Sequence, residues 1–450
     1  MNDVSLNPVE KKVARMLSPF EKFIESQTST GLLLAGATCL AMVFANSDMN
    51  RMYREVILTD VGLLVGSSQF TMSLEEWVGS GFMALFFFLL GLELKRECLA
   101  GEMQNPRQIG IVLSAALGGM VLPALIYYLT NLDSGYQQGW AIAMATDTAF
   151  ALGALAFFAR KVSRELFVFL TGLAIFDDLG AITVIAVYYT ESLHLEALLR
   201  AGAVLVLLIG MNISGVRAAW AYFILGLVLW MFVHESGVHA TVAGVLVALT
   251  IPARPSLQSG RFVQRVRKLI SKFERRQESE NEVLSDQKQS GLMLNIEEVA
   301  RQASTPLQRW ETKLENPIAL VVLPVFALCS AGIRLSDQDL GSVLSSFVSL
   351  GIIGGLVVGK PLGIFLFSKA AVKLGLGSLP EGMGNKELLG VGLLAGMGFT
   401  MSIFIAMLAF KGQPLLIEEA KLAILISTFL SGLLGILWLA LATRNRIDSN

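Results

Sequence analysis

From Gly31 onward the chain reads as long apolar runs separated by short polar connections. A helix needs ~20 apolar residues to cross the hydrocarbon of a bilayer. By that rule the sequence predicts an all-α membrane protein of about a dozen transmembrane helices. The spans begin near Gly31, Trp77, Ile109, Gln137, Glu165, Leu195, Ala218, Gly237, Trp310, Leu350, Leu388 and Lys421. Several are interrupted by Gly or Pro. The division that results is a cytoplasmic segment over 1–30, a first membrane half over 31–250, a long cytoplasmic loop over 251–316, a second membrane half over 317–443 and a short tail over 444–450.

Two of these pieces are polar. Ahead of the first span, Val13, Met16, Leu17, Phe20, Phe23 and Ile24 recur at helical spacing beside Lys11, Lys12, Arg15 and Lys22. That pattern fits a helix lying in the membrane interface, although Pro19 interrupts it and a disordered tail is the alternative. The long loop, with SKFERRQESENEVLSDQKQS inside it, is charge-rich and reads as a flexible or helical linker.

Composition agrees with a membrane location. Apolar residues make up 54% of the chain and charged residues 16%, against roughly a quarter charged in a soluble domain. The remaining charges are too few to cover a water-facing surface, and mean hydropathy is +0.62. Cys39, Cys98 and Cys329 are scattered without a CxxC pair, which argues against a disulfide framework and a zinc site. The three histidines leave little room for a histidine-built metal centre. No resident cofactor and no nucleic-acid partner are expected. The opening MNDVSLNPVEKKVARML is polar and does not read as a cleavable signal peptide. Lys and Arg gather in alternate connections, at Lys95, Arg96 and Arg107, at Arg160, Lys161 and Arg164, at Arg217, and at Lys369, Lys373 and Lys386. Both tails are basic too, so the positive-inside rule places both termini in the cytoplasm.

The charges that stay inside apolar runs are few: Asp147 in WAIAMATDTAFALGALAFF, the adjacent Asp177 and Asp178 in TGLAIFDDLGAITVIAVYY, and Lys360 in IIGGLVVGKPLGIFLF. Such residues are expensive in a bilayer and mark functional sites by default. Plainer readings exist. Lys360 could snorkel to an interface, but it lies mid-run with Pro361 after it. Asp147 could be a helix cap in a re-entrant turn. Asp177 and Asp178 point about 100° apart on a helix and so cannot face one partner. One acid would meet a cation while the other pairs with a buried base, and Lys360 is the one intramembrane base on offer. A buried lysine–carboxylate pair can exchange protons as its surroundings change, because desolvation disfavours both charges. Gly and Thr also cluster at ATDTAFALG and LAGMGFTMSIF, beside Thr146 and Thr400. Small residues there could serve close packing, but two such weak points in corresponding halves point to discontinuous helices lining a transport site.

Taken together, ATDTAFALG, FDDLGAI, SGVHAT, GKPLGI, LPEG, GFTMSIFIA and GLELKRE make the chain resemble the NhaA-type sodium/proton antiporter family, over essentially everything from Gly31 to the last span. The resemblance implies inverted-topology repeats, here about Arg107 to Tyr189 and Leu350 to Ala442, whose broken helices cross at mid-membrane. It implies that Asp178 is the central Na⁺ ligand, that Asp177 pairs with Lys360, and that Asp147, with Thr146 beside it, balances the helix-end dipoles at the crossing. It further implies electrogenic export of Na⁺ or Li⁺ against more than one H⁺ across a bacterial inner membrane, with activation at alkaline pH tied to Glu93, Arg96 and Glu97. A positive-inside flank is the plainer reading of those last residues. The chain departs from the family in its long loop, where RWETKLENP offers Glu311 and Glu315 but no histidine. A homodimer built on a β-hairpin at LLVGSSQFTMSLEEW is implied as well. The competing functions are a passive cation channel, a transporter of another solute and an intramembrane aspartyl protease. The carboxylates are too clustered to line a pore, and side-by-side acids on one helix do not suit a shared-proton pair on facing elements.

Overall fold

A computed structural model describes residues 19–447 except 66–67, 101–105, 160, 191–192, 256, 258, 275–286 and 336–339. Val13, Met16 and Leu17 of the N-terminal stripe, and RRQESENEVLSD of the long loop, lie outside the described residues.

Among the described residues, nine helices are long and apolar enough to cross a membrane, or ten when one bent pair is taken as a single span. Two shorter apolar helices, Ala219–Glu235 and Thr241–Thr250, occupy the places where the sequence predicts further spans. The protein is a helical, multi-pass membrane protein. It divides into two compact units, the first made of 1–83, 102–191 and 318–450, the second of 84–101 and 192–317.

In the first unit, the helix Pro19–Ala45 is followed by a two-stranded antiparallel hairpin, β1 (Asp60–Val65) and β2 (Ser68–Ser73), with Asp60 opposite Ser73 and Val65 opposite Ser68. The helices that build the site are α1 (Pro106–Thr130), α2 (Thr148–Ala156), α3 (Arg164–Tyr188), α4 (Lys360–Lys373), α5 (Asn385–Ala395) and α6 (Phe399–Ala409). A long helix, Pro414–Ile447, packs on α5 and α6. Leu113, Leu117, Val121 and Leu125 repeat every fourth residue on the exposed side of α1, which is what lipid contact asks of a membrane helix. The inner faces meet in a core that includes Leu155, Leu166, Phe169, Ile364, Leu388 and Leu394.

Small residues set how closely these helices approach. A Cβ on Gly118 of α1 would lie 2.2 Å from the Gly363 carbonyl oxygen of α4, and one on Gly363 would lie 2.0 Å from that of Gly118. Backbones therefore touch at this pair, the kind of contact that membrane helices use in place of hydrophobic driving force.

Two runs break. A tight 3₁₀ coil over Gln137–Met144 leads into extended backbone at Ala145 and Asp147 before α2 begins. The bend between α5 and α6 is 48°. Short polar side chains and glycines favour such breaks, because Asp and Thr compete for nearby backbone groups and Gly costs a helix conformational entropy. Ahead of α4, residues Gly354–Gly359 form a wide π turn. Pro361 then follows Lys360 inside the same continuous span, Phe347–Lys373, where the π turn passes into regular helix.

The second unit packs the described helices Leu195–Ile213, Ala219–Glu235 and Thr241–Thr250 with residues from Ala84 onward of the helix Met83–Ala100. Its core includes Phe88, Leu92, Leu208, Tyr222, Leu229 and Val247. Phe88 meets Trp310 edge to face at 5.5 Å. Two helices of the long loop, Ser259–Glu274 and Gln287–Ala303, pack on one another.

Candidate functional site

The first break brings Thr146 and Asp147 to the second. Asp147 is the N-cap of α2, where its Oδ1 accepts from the Phe150 N–H at 3.1 Å. Its Oδ2 accepts from the Thr400 N–H at 3.0 Å and from the Thr400 hydroxyl at 2.6 Å. One carboxylate thus faces the N-terminal ends of both α2 and α6, each a partial positive charge. The plainer reading of Asp147 as a cap and the reading as a dipole balancer describe the same bonds. The backbone joins in, since the Asp147 N–H donates to the Met397 carbonyl at 2.6 Å. The Ser402 hydroxyl donates to the Ile142 carbonyl at 2.8 Å.

Thr146 turns the other way. Its hydroxyl lies 2.7 Å from Asp177 Oδ2 and 3.0 Å from the Ala395 carbonyl, at the C-terminal end of α5. The Lys360 ammonium lies 2.9 Å from the same Asp177 oxygen, and both side chains are fully shielded from solvent. Lys360 also donates to the Met144 carbonyl. A buried ion pair is tolerable only when further hydrogen bonds offset the desolvation of both charges, and Thr146 and Met144 provide them here. Asp177 Oδ1, also buried, has no hydrogen-bond partner among the described residues.

Asp178 follows on α3 and is 2% exposed. Its carboxylate acts electrostatically on Lys360. The structure therefore gathers Thr146, Asp147, Asp177, Asp178, Lys360 and Thr400 around the two breaks. What this can do chemically follows from the atoms. Carboxylate and broken-helix carbonyl oxygens suit a small hard cation, and the same carboxylates can carry protons.

Two residues of this neighbourhood have no mark in the sequence reading. The Met144 carbonyl is a backbone group. Thr428, on the Pro414–Ile447 helix, accepts from the Phe399 N–H at 3.2 Å and so caps α6 from outside. A threonine inside an apolar run was the one available signal, since such side chains bridge membrane helices.

Glu93, Arg96 and Glu97 lie in the second unit. Arg96 Nη2 is 2.8 Å from Glu97 Oε1, and its Nε is 3.0 Å from Glu311 Oε1, close enough for an ion pair though not aligned as a hydrogen bond. Glu93 is electrostatically coupled to Glu311, Arg96, Glu315 and Glu97. The acids of RWETKLENP thus reach the GLELKRE segment. Lys95 is anchored separately, donating to the Leu249 and Ile251 carbonyls at 2.6 Å each.

A family model described as Na+/H+ antiporter 1 matches residues 21–439. The chain is 41% identical over 432 residues to the Na(+)/H(+) antiporter NhaA of Sulfurimonas denitrificans, which spans 96% of this chain and 97% of that protein. It is 43% identical over 430 residues to Na(+)/H(+) antiporter NhaA 1 of Saccharophagus degradans, 96% of this chain and 93% of the relative. Na(+)/H(+) antiporter NhaA 2 of Psychromonas ingrahamii is 39% identical over the whole of this chain and 95% of its own length.

Proposed function

The chain belongs to the Na+/H+ antiporter family, and we propose that its exchange of Na⁺ for H⁺ runs through one buried centre in which Asp178 holds the cation and Asp177 and Lys360 manage charge. The protein is a transporter and not an enzyme. Na⁺, or Li⁺, leaves the cytoplasm on Asp178. Protons arriving from outside replace it on the same carboxylates. Ion and protons then compete for one set of oxygens, which couples their opposed movements without any need for simultaneous binding. With more than one proton per ion the cycle moves net charge, so exchange is electrogenic.

The observation that carries this reading is the fully shielded Asp177–Lys360 pair at 2.9 Å beside Asp178. While the cation is away, Lys360 neutralises one carboxylate and keeps the centre tolerable in a low-dielectric setting. Asp147 and Thr400 hold the two breaks together, and Thr146 ties the first break to Asp177. Because Asp177 and Asp178 are consecutive on α3 and point about 100° apart, the two acids do not face each other as the shared-proton pair of a protease does.

Glu93, Arg96 and Glu97, joined by Glu311, form the group through which alkaline pH raises activity. The protein resides in a bacterial inner membrane with both termini and the 251–316 loop in the cytoplasm. It works as a homodimer joined through the β1–β2 hairpin.

The test uses proteoliposomes loaded with Na⁺ and a pH-sensitive dye. Proton entry driven by outward Na⁺ is expected from the wild type, and the same assay with Li⁺ and K⁺ across pH reads selectivity and activation. Asp178→Asn is expected to abolish the signal while the protein keeps its melting temperature. Exchange by that variant at an ordinary rate would sink the proposal.

A further inference from the structure

The helix Ser259–Glu274 of the long loop has a patterning that ion exchange does not use. Phe262, Val266, Leu269 and Phe273 form a half-buried stripe at helical spacing. The partner helix Gln287–Ala303 presents the matching half-buried Leu292, Ile296, Val299 and Ala303. With its apolar stripe covered, the first helix turns a basic flank outward, joined to the partner helix where Arg265 Nη1 donates to Gln302 Oε1 at 3.3 Å. That flank carries Arg261, Arg265, Lys268 and Lys272, spaced i, i+4, i+7 and i+11 and all exposed. At 100° per residue these four fall within about 60° of one another, a single basic ridge. No acidic residue occurs in the helix before its final Glu274.

The base of this helical pair is anchored to apolar helices. The Leu307 N–H, at the foot of a span, donates to the Pro252 carbonyl at 3.2 Å, two residues after the helix Thr241–Thr250 ends. The Leu257 N–H donates to the Gln302 carbonyl at 2.9 Å. Leu257 and Leu307 are 6% and 2% exposed. The helical pair is therefore stapled at its base to the ends of apolar helices, a few residues from a candidate membrane span.

We propose that this ridge docks on anionic phospholipid headgroups. A cluster of Lys and Arg next to a membrane helix gains favourable energy from each cation brought to a negatively charged leaflet. The pairing is also one of fit, since Arg guanidinium groups take phosphate oxygens in bidentate fashion. The helix Ser259–Glu274 then serves as a lipid-reading element on the transporter.

Hydrogen exchange on the full-length protein in nanodiscs tests this, with phosphatidylcholine alone or with phosphatidylglycerol added, and α1 amides as the internal reference. Amides of 259–274 are expected to exchange roughly fivefold more slowly with phosphatidylglycerol, the equivalent of one such charge contact. About 0.5 M KCl, chosen because Na⁺ is the substrate, shortens the screening length to a few ångströms and should remove the effect. Replacing Arg261, Arg265, Lys268 and Lys272 together by Gln should remove it as well. The charge-keeping pair Lys268→Arg and Lys272→Arg should retain it. Equal exchange in the two lipids overturns the proposal, and so does slowing that survives in the Gln variant.

Discussion

Replacing Lys360 by Met tests the charge balance of the centre most directly. The substitution keeps an unbranched chain of similar bulk and removes the ammonium that lies 2.9 Å from Asp177. Asp177 then retains the Thr146 hydroxyl on Oδ2 but loses its counter-charge where neither side chain has any solvent exposure. Breaking a buried pair by removing one partner costs about 3–5 kcal/mol. The Met144 carbonyl loses its donor too, which adds about 1 kcal/mol or more. Asp177→Asn alone removes the lysine's ion-pair partner and leaves it with the Met144 carbonyl and the more distant charge of Asp178. The double variant removes both charges and is expected to recover much of the loss, because a neutral pair needs no compensation. A coupling energy of at least about 1 kcal/mol should therefore separate the double variant from the sum of the singles. Unfolding followed by tryptophan fluorescence in detergent, on all four proteins, measures it. Additive losses, or a Lys360→Met cost below about 1 kcal/mol, would refute the claim that these two groups stabilise each other.

Other outcomes follow from single contacts. Thr428→Val removes the acceptor of the Phe399 N–H at a buried helix start and should cost about 1–3 kcal/mol; Thr428→Ser should restore both melting temperature and exchange, and failure of that rescue would show that the hydroxyl is not what matters. Gly363→Ala puts a Cβ 2.0 Å from the Gly118 carbonyl oxygen. Backbone must move, and the change should cost about 1–3 kcal/mol and slow exchange, since Lys360 lies one turn earlier on the same helix; wild-type behaviour in both assays would contradict the contact. Glu311→Gln removes a partially exposed partner of Arg96. Such pairs contribute at most about 1 kcal/mol, so stability should scarcely change while the pH profile of exchange moves. An unmoved profile would detach Glu311 from the pH response.

The centre was legible in the sequence because a bilayer makes charge conspicuous. Asp147, Asp177, Asp178 and Lys360 stand out from apolar runs, and the weak points at ATDTA and GFTMS fall where the two breaks occur. The pairwise geometry was less so. Thr146 had been placed beside Asp147, yet its hydroxyl serves Asp177 and the end of α5. Thr428 and Ser402 lie in helices whose apolar periodicity says nothing about which backbone group will need an acceptor or a donor. Lys95 read as an ordinary flanking cation and instead caps the end of another helix. The wide turn at Gly354–Gly359 has no mark in the apolar run IIGGLVVGKPLGIFLF, because it depends on what surrounds those residues. The span count turns on a related point: beside the nine or ten long spans among the described residues, Ala219–Glu235 and Thr241–Thr250 are apolar but short, so length alone does not decide whether each crosses.

Asp147 fastens the start of α2 and the start of α6 with one side chain, and its own amide grips the turn that precedes α6. The two interrupted helices are in effect riveted where they meet. Any motion that opens the centre to one side of the membrane or the other therefore has to move both breaks together or give up these bonds.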